Sequence, residues 1–154
     1  MMFNASLSKS PILLALHSST ESLGVAVLDS RKPIDSRNSA TFELVRELSN
    51  DLLSCVDQLL PTAEWSKIGR IAVAIGPGGF TGTRLTVILA RTLAQQLNCH
   101  LDGISSFALM APRMALKLPE EQRREAFWLS KNLPRRGTLG GKYKLQINQG
   151  QKRL

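Results

Sequence analysis

Ile71-Ala72-Val73-Ala74-Ile75-Gly76-Pro77-Gly78-Gly79-Phe80-Thr81-Gly82-Thr83-Arg84 is the stretch that decides the fold. Residues 71–75 are a continuous apolar run of strand length, closed by a glycine-rich turn. Beyond the turn, Leu85, Leu89 and Leu93 recur at helical spacing, as do Val87, Ala90 and Ala94. That spacing predicts a helix over 81–97. Buried strand, turn and helix in succession are the unit of an α/β sheet.

The same reading extends outward. Upstream, Ile12 to Leu16 is a strand-length apolar run, consistent with burial on both faces. A polar turn over 17–22 leads to a second strand over 23–28, close enough to pair with the first as a hairpin. Residues 34–42 form a weaker third strand near an edge. From 44 to 60 the period changes: Val45, Leu48, Leu52, Val56, Leu59 and Leu60 mark an amphipathic helix that Pro61 stops. Downstream, 101–105 is a short strand and 106–118 a last helix with Ser106 as its cap. The expected order is β-β-β-α-β-α-β-α, a mixed five-stranded sheet with helices. The division expected is a leader over 1–11, a lobe over 12–118 and an irregular tail over 119–154. Within that tail, Phe127, Trp128 and Leu129 are expected to pin the segment to the lobe.

The totals fit one domain of 154 residues, with 43% hydrophobic and only 5% aromatic side chains. The longest apolar runs fall far short of the ~20 residues that span a bilayer. Nothing at the N-terminus reads as a signal peptide, and Cys55 and Cys99 lack the spacing of a metal or disulfide pair. A cytoplasmic chain with reduced thiols and no membrane partner is therefore expected. The net charge of +8 is uneven: residues 1–112 hold nine basic and nine acidic side chains, residues 113–154 eleven against three. The basic tail is either a solvated segment or an RNA-facing one, with Arg123, Arg124, Lys131, Arg135 and Arg136 as the phosphate contacts.

The glycine turn is the first candidate for chemistry, because a helix N-terminus can hold an anion. As a phosphate loop it lacks the required Lys, with Thr83 and Arg84 in the wrong order. As a dinucleotide fingerprint its third glycine comes one residue late, and Asp102 opens the next strand where an acid should close it. The plain alternative is a tight turn that needs glycine for its dihedrals and packing. The histidines, His17 and His100, are far apart in sequence, and no HExxH or GxSxG pattern is present. No catalytic residue, metal site or cofactor is expected.

Gly76-Pro77-Gly78-Gly79-Phe80-Thr81-Gly82-Thr83-Arg84 resembles the Gly-Pro-Gly-Ser-Phe-Thr-Gly-x-Arg signature of the TsaB (YeaZ) family, with Gly79 in place of Ser. Ile12 to Val27 resembles that family's opening hairpin, and Asp102-Gly103-Ile104-Ser105-Ser106-Phe107 its Gly-Val-Ser-Ser stretch. The likeness runs from about 12 to 112. It implies the actin/hexokinase-like (ribonuclease H-like) fold, of which this chain would be the first lobe. It also implies a non-catalytic subunit in the threonylcarbamoylation of adenosine next to the anticodon of tRNA. The partners implied are a TsaD-like catalytic subunit and a TsaE-like ATPase, with TsaC or a relative supplying threonylcarbamoyl-adenylate; a homodimer is the other pairing.

The sequence departs from that pattern twice. The first strand of such folds usually ends in an Asp that organises a nucleotide's metal, and here stands His17, a poor ligand for a hard cation. A second lobe is not found after residue 112. For docking, Arg84, Arg91 and Gln95 form a narrow polar stripe on a helix apolar on its other faces. One apolar face would meet the sheet. The other would meet a partner's helix or the 44–60 helix of the same chain. The expected partner interface is Leu52, Val56, Leu85, Leu89, Ala90, Leu93 and Ala94, the alanines allowing close approach. An RNA-binding accessory protein and, behind it, a nucleotide-dependent phosphotransferase or ATPase are the alternatives.

Overall fold

The computed structural model describes residues 10–18, 20–43, 48–133 and 137–145. The chain divides into two compact units, the first ending at Ile104 and the second beginning at Ser105.

The first unit is built from β1 (Ile12–His17), β2 (Ser22–Asp29), β3 (Asn38–Glu43), α1 (Leu48–Leu59), β4 (Ile68–Ala74), α2 (Phe80–Leu97) and β5 (His100–Ile104). The strand order is β3-β2-β1-β4-β5. β1 pairs antiparallel with β2, and β2 with β3, as chains joined by short turns must. β1–β4 and β4–β5 are parallel, each reached through a crossover helix. This is the mixed sheet and element order expected from the period changes.

β1 alternates buried and half-buried residues, so it is fully covered on one face and not on both. The expectation of two-sided burial for this strand is corrected accordingly. In register, Leu14 stands beside Val27 and Ile71, which places all three on the same face. There they join Leu52, Cys55, Val56 and Leu60 of the α1 region and Ala90, Leu93 and Ala94 of α2 in one core. Burying a side chain of the Leu, Ile or Val kind stabilises by ~1.5–3 kcal/mol. Pro61 follows α1, and the Asp57 carboxylate accepts hydrogen bonds from the Thr62 amide and hydroxyl. Trp65 Nε1 donates to the Leu60 carbonyl at 2.8 Å, tying the 3-10 stretch Thr62–Lys67 to the end of the helix. α2 stops at Asn98, whose left-handed φ of 50° is tolerated by a short polar side chain. Cys55 is buried; Cys99 is half-buried, and burial pushes its thiol pKa up.

On the opposite face of the sheet, Arg70 of β4 donates to the Asp102 carboxylate of β5 through Nε (2.5 Å) and Nη2 (3.0 Å). These hydrogen bonds hold the Asp102 pKa below the ordinary carboxylate value, against the opposing effect of burial. Because the folded-state pKa is depressed, the pair's stabilisation is present above pH ~4 and lost as pH falls through the depressed value. Both side chains are about two-fifths exposed, so the contribution is under about 1 kcal/mol. Asp102→Asn is expected to lose less stability than the natural chain between neutral pH and pH ~2, read from thermal unfolding across that range.

The second unit holds α3 (Ser106–Lys117) and an antiparallel hairpin of β6 (Ala126–Leu133) and β7 (Gly137–Lys144). The described part of 119–154 is therefore not irregular. α3, expected as the last helix of the lobe, belongs instead with this hairpin. Phe107, Ala111 and Ala115 lie four residues apart on α3 and are buried. A side chain at Gly141 would run into the Tyr143 ring and approach Phe107, so α3 and β7 meet there with no room for a Cβ. Among the described residues no helix is long and apolar enough to cross a membrane.

Candidate functional site

The glycine turn between β4 and α2 is organised by its own side chains. Gly76 has φ of 92°, a conformation that any residue with a Cβ adopts only under strain. Gly82 lies in the first turn of α2, where an added Cβ would stand 3.0 Å from the carbonyl oxygen of Ser18. The chain just after β1 thus presses directly on the helix backbone. Ser18 Oγ donates to the Gly82 carbonyl at 2.9 Å and lies 2.6 Å from Thr86 Oγ1. Ser18 and Thr86 are both fully buried, so this hydroxyl pair satisfies two groups that would otherwise be costly inside. Nothing in the turn-like look of residues 17–22 singled out Ser18. Thr86 carried a signal: a polar side chain four residues from Gly82 and from Ala90 on a small-residue stripe needs a partner.

Phe80 and Arg84, the aromatic and basic members of the turn, lie one helical turn apart. The Arg84 guanidinium sits 3.8 Å from the centre of the Phe80 ring. Such stacking contributes about 0.5–1 kcal/mol at exposed sites and fixes a long side chain in place. Thr81, like Phe80 and Arg84, is exposed. Pro77 and Gly78 are half-buried and Gly79 is exposed at the N-cap, with no side chain capping the helix.

The residues expected to meet a partner are mostly the chain's own core. Leu52, Val56, Ala90, Leu93 and Ala94 are buried in one cluster, with Leu85 and Leu89 packed against it. The two helices cover each other, so the second apolar face of α2 is taken by α1. What α2 turns outward is a different stripe: Phe80, Arg84, Ile88, Arg91 and Gln95, all exposed. Ile88 is 61% exposed in its middle, the largest value for an aliphatic side chain among the described residues of the first unit. On α1, Leu53 is exposed in the same way at 45%.

The basic residues scatter. Arg123 Nε donates to the Leu118 carbonyl at 3.0 Å, which holds that side chain against its own backbone. Arg124 is exposed, and Lys131 is half-buried on β6 opposite Leu139. Arg135 and Arg136 lie outside the described residues. Trp128, expected to pin the tail, is 68% exposed; Phe127 and Leu129 take the half-buried side of β6. His17 ends β1 opposite Gly24, while His100 begins β5 opposite Arg70, at the other end of the sheet. Among the described residues no three His, Cys, Asp or Glu side chains stand together as a metal site would require.

The family model described as TsaD, tRNA N6-adenosine threonylcarbamoyltransferase, matches residues 43–125, more than half of the chain. The tRNA threonylcarbamoyladenosine biosynthesis protein TsaB of Bacillus subtilis is 33% identical over 101 residues, 64% of this chain and 43% of that protein. The TsaB of Escherichia coli is 33% identical over 102 residues, 64% of this chain and 42% of that protein. Among solved structures, YeaZ from Pseudomonas aeruginosa superposes with a TM-score of 0.69 at 31% identity, covering 88% of this chain and 61% of that one. The chain thus spans less than half the length of these two curated relatives, and its sheet and helices have the actin-like architecture. The chain belongs to the family that the TsaD model defines, among its TsaB (YeaZ) members.

Proposed function

We propose that this chain is a non-catalytic subunit of the tRNA threonylcarbamoyladenosine machinery, docking a TsaD-like catalytic relative through the outer face of α2. The observation that carries the reading is the exposed stripe Phe80–Arg84–Ile88–Arg91. It begins within the signature turn itself. Two other signature residues have tasks in the fold: Gly76 supplies a positive φ, and Gly82 lets the chain just after β1 approach. None of Gly76, Phe80, Gly82 and Arg84 is a side chain suited to act as nucleophile or general acid or base near neutral pH. Ile88 offers an apolar anchor between two arginines, the composition in which interface energy concentrates. A second copy of this chain is the competing occupant, and the TsaE-like ATPase is the further partner of the assembly.

The reading is tested by reconstitution with unmodified tRNA, the catalytic subunit, the ATPase and a threonylcarbamoyl-adenylate donor. Adding this chain is expected to raise the yield of modified adenosine until it equals the catalytic subunit in amount. The chain with donor and tRNA alone is expected to form none. Product made by this chain alone would overturn the non-catalytic reading.

A further inference from the structure

The hairpin of the second unit has two faces of different chemistry. Phe127, Leu129, Lys131 and Leu133 alternate with Ala126, Trp128, Ser130 and Asn132 along β6, and the first set is the half-buried one. The other face is open. On it Trp128 stands directly across from Lys142, Ser130 across from Gly140, Asn132 across from Thr138, and Ala126 across from Lys144. The indole leans over bare backbone: ring carbons Cε3 and Cζ3 lie 3.5 and 3.8 Å from where a Cβ on Gly140 would stand. It is nevertheless 68% exposed, the largest value among the exposed large hydrophobic side chains. Among the described residues neither Lys142 nor Lys144 has an ion-pair partner, so both charges face solvent. The unit around them carries the chain's excess charge, eleven basic residues against three acidic over 113–154.

An exposed indole beside two lysines of the neighbouring strand, on a face otherwise of small and hydroxyl or amide side chains, has the makings of a stacking platform. A nucleobase offers a flat apolar ring for the indole, and its phosphates lie within reach of lysines on the neighbouring strand. We propose that this face of the β6–β7 hairpin binds an unpaired nucleic-acid strand, with Trp128 stacking on a base and Lys142 and Lys144 contacting the backbone. An unpaired strand is favoured over a duplex because bases locked in a helix cannot lie flat on a side chain. The positive charge would attract an acidic peptide equally, and the exposed ring is what favours a nucleic acid, so the peptide is a separate outcome of the test.

The test uses the full chain and fluorescein-labelled oligonucleotides of about 12 nucleotides, followed by anisotropy at low salt. One arm is single-stranded RNA, one single-stranded DNA, one the RNA duplex and one polyglutamate. The single strands are expected to bind more tightly than the duplex, and any difference between RNA and DNA tells which sugar the face prefers. Trp128→Ala is expected to weaken single-strand binding by about fivefold or more, with Trp128→Phe between the two. Lys142→Gln is expected to lower the slope of log affinity against log salt by about 0.7, one phosphate contact. Because the indole is exposed, the circular dichroism spectrum of Trp128→Ala should match the natural chain. Equal binding by Trp128→Ala, duplex binding as tight as single-strand binding, or Trp128-dependent binding of polyglutamate at equal strength would each overturn the proposal. So would a natural chain that binds neither single strand.

Discussion

Ala90→Arg is expected to lower the thermal stability of the first unit sharply. Ala90 is fully buried where α2 packs into the core with Leu93, Ala94, Val56 and Leu14. A guanidinium there would find no carboxylate among the residues of that cluster, and its volume would push α1 from α2. A buried ion without a partner costs several kcal/mol, and overpacking adds about 1–3. Domains of this size are stable by only about 5–15 kcal/mol. A loss of about 4 kcal/mol would lower the unfolding midpoint by more than about 15 °C, at about 4–8 °C for each kcal/mol. Thermal unfolding followed by circular dichroism checks this. If Ala90 lay on a docking surface instead, Ala90→Arg would keep its midpoint and lose only the partner.

That contrast shows where the sequence was legible. The change from strand-length apolar runs to a 3.6-residue period located all eight expected elements within a few residues, because strands and helices bury apolar side chains at different spacings. Pro61 marks a helix end by the same kind of local rule, while the left-handed Asn98 that ends α2 is not singled out. The outward side of α2 was not legible. Leu85, Leu89 and Leu93 on one side, with Ala90 and Ala94 on another, leave the helix apolar over too wide an arc to say which part meets water. Only the packing of α1 decides it, and that is a tertiary fact. Ile88 gives no sign of its exposure for the same reason, since an isoleucine among leucines and alanines reads as core.

The hairpin after residue 119 was illegible for a different reason. Gly137, Gly140 and Gly141 are weak strand formers and read as flexible backbone. In the structure a side chain at Gly141 would crowd the Tyr143 ring and Phe107, whereas one at Gly140 would make only ordinary contact with the indole above it. The crowding at Gly141 comes from side chains elsewhere on the hairpin and on α3, which no local propensity reveals. The site turn was half legible: Gly76 and Gly82 marked close backbone geometry, while the Ser18–Thr86 pair joins residues sixty-eight apart and has no local signature.

Ile88→Glu is the variant that bears most directly on the docking face. With 61% of Ile88 exposed, the substitution should change stability by no more than about 0.5 kcal/mol. If Ile88 is an interface anchor, the glutamate places an unpaired charge in a desolvated contact, costing about 2 kcal/mol or more, which is roughly a 30-fold loss of affinity. The decisive measurement is light scattering of this chain mixed with the catalytic subunit from the same cell, for the natural chain and for Ile88→Glu. The natural chain is predicted to co-elute with the catalytic subunit at the mass of the complex, and Ile88→Glu, equally well folded, to elute separately. Ile88→Glu bound as tightly as the natural chain, or a natural chain that is folded yet stays apart, would contradict the docking of a catalytic partner on the outer face of α2.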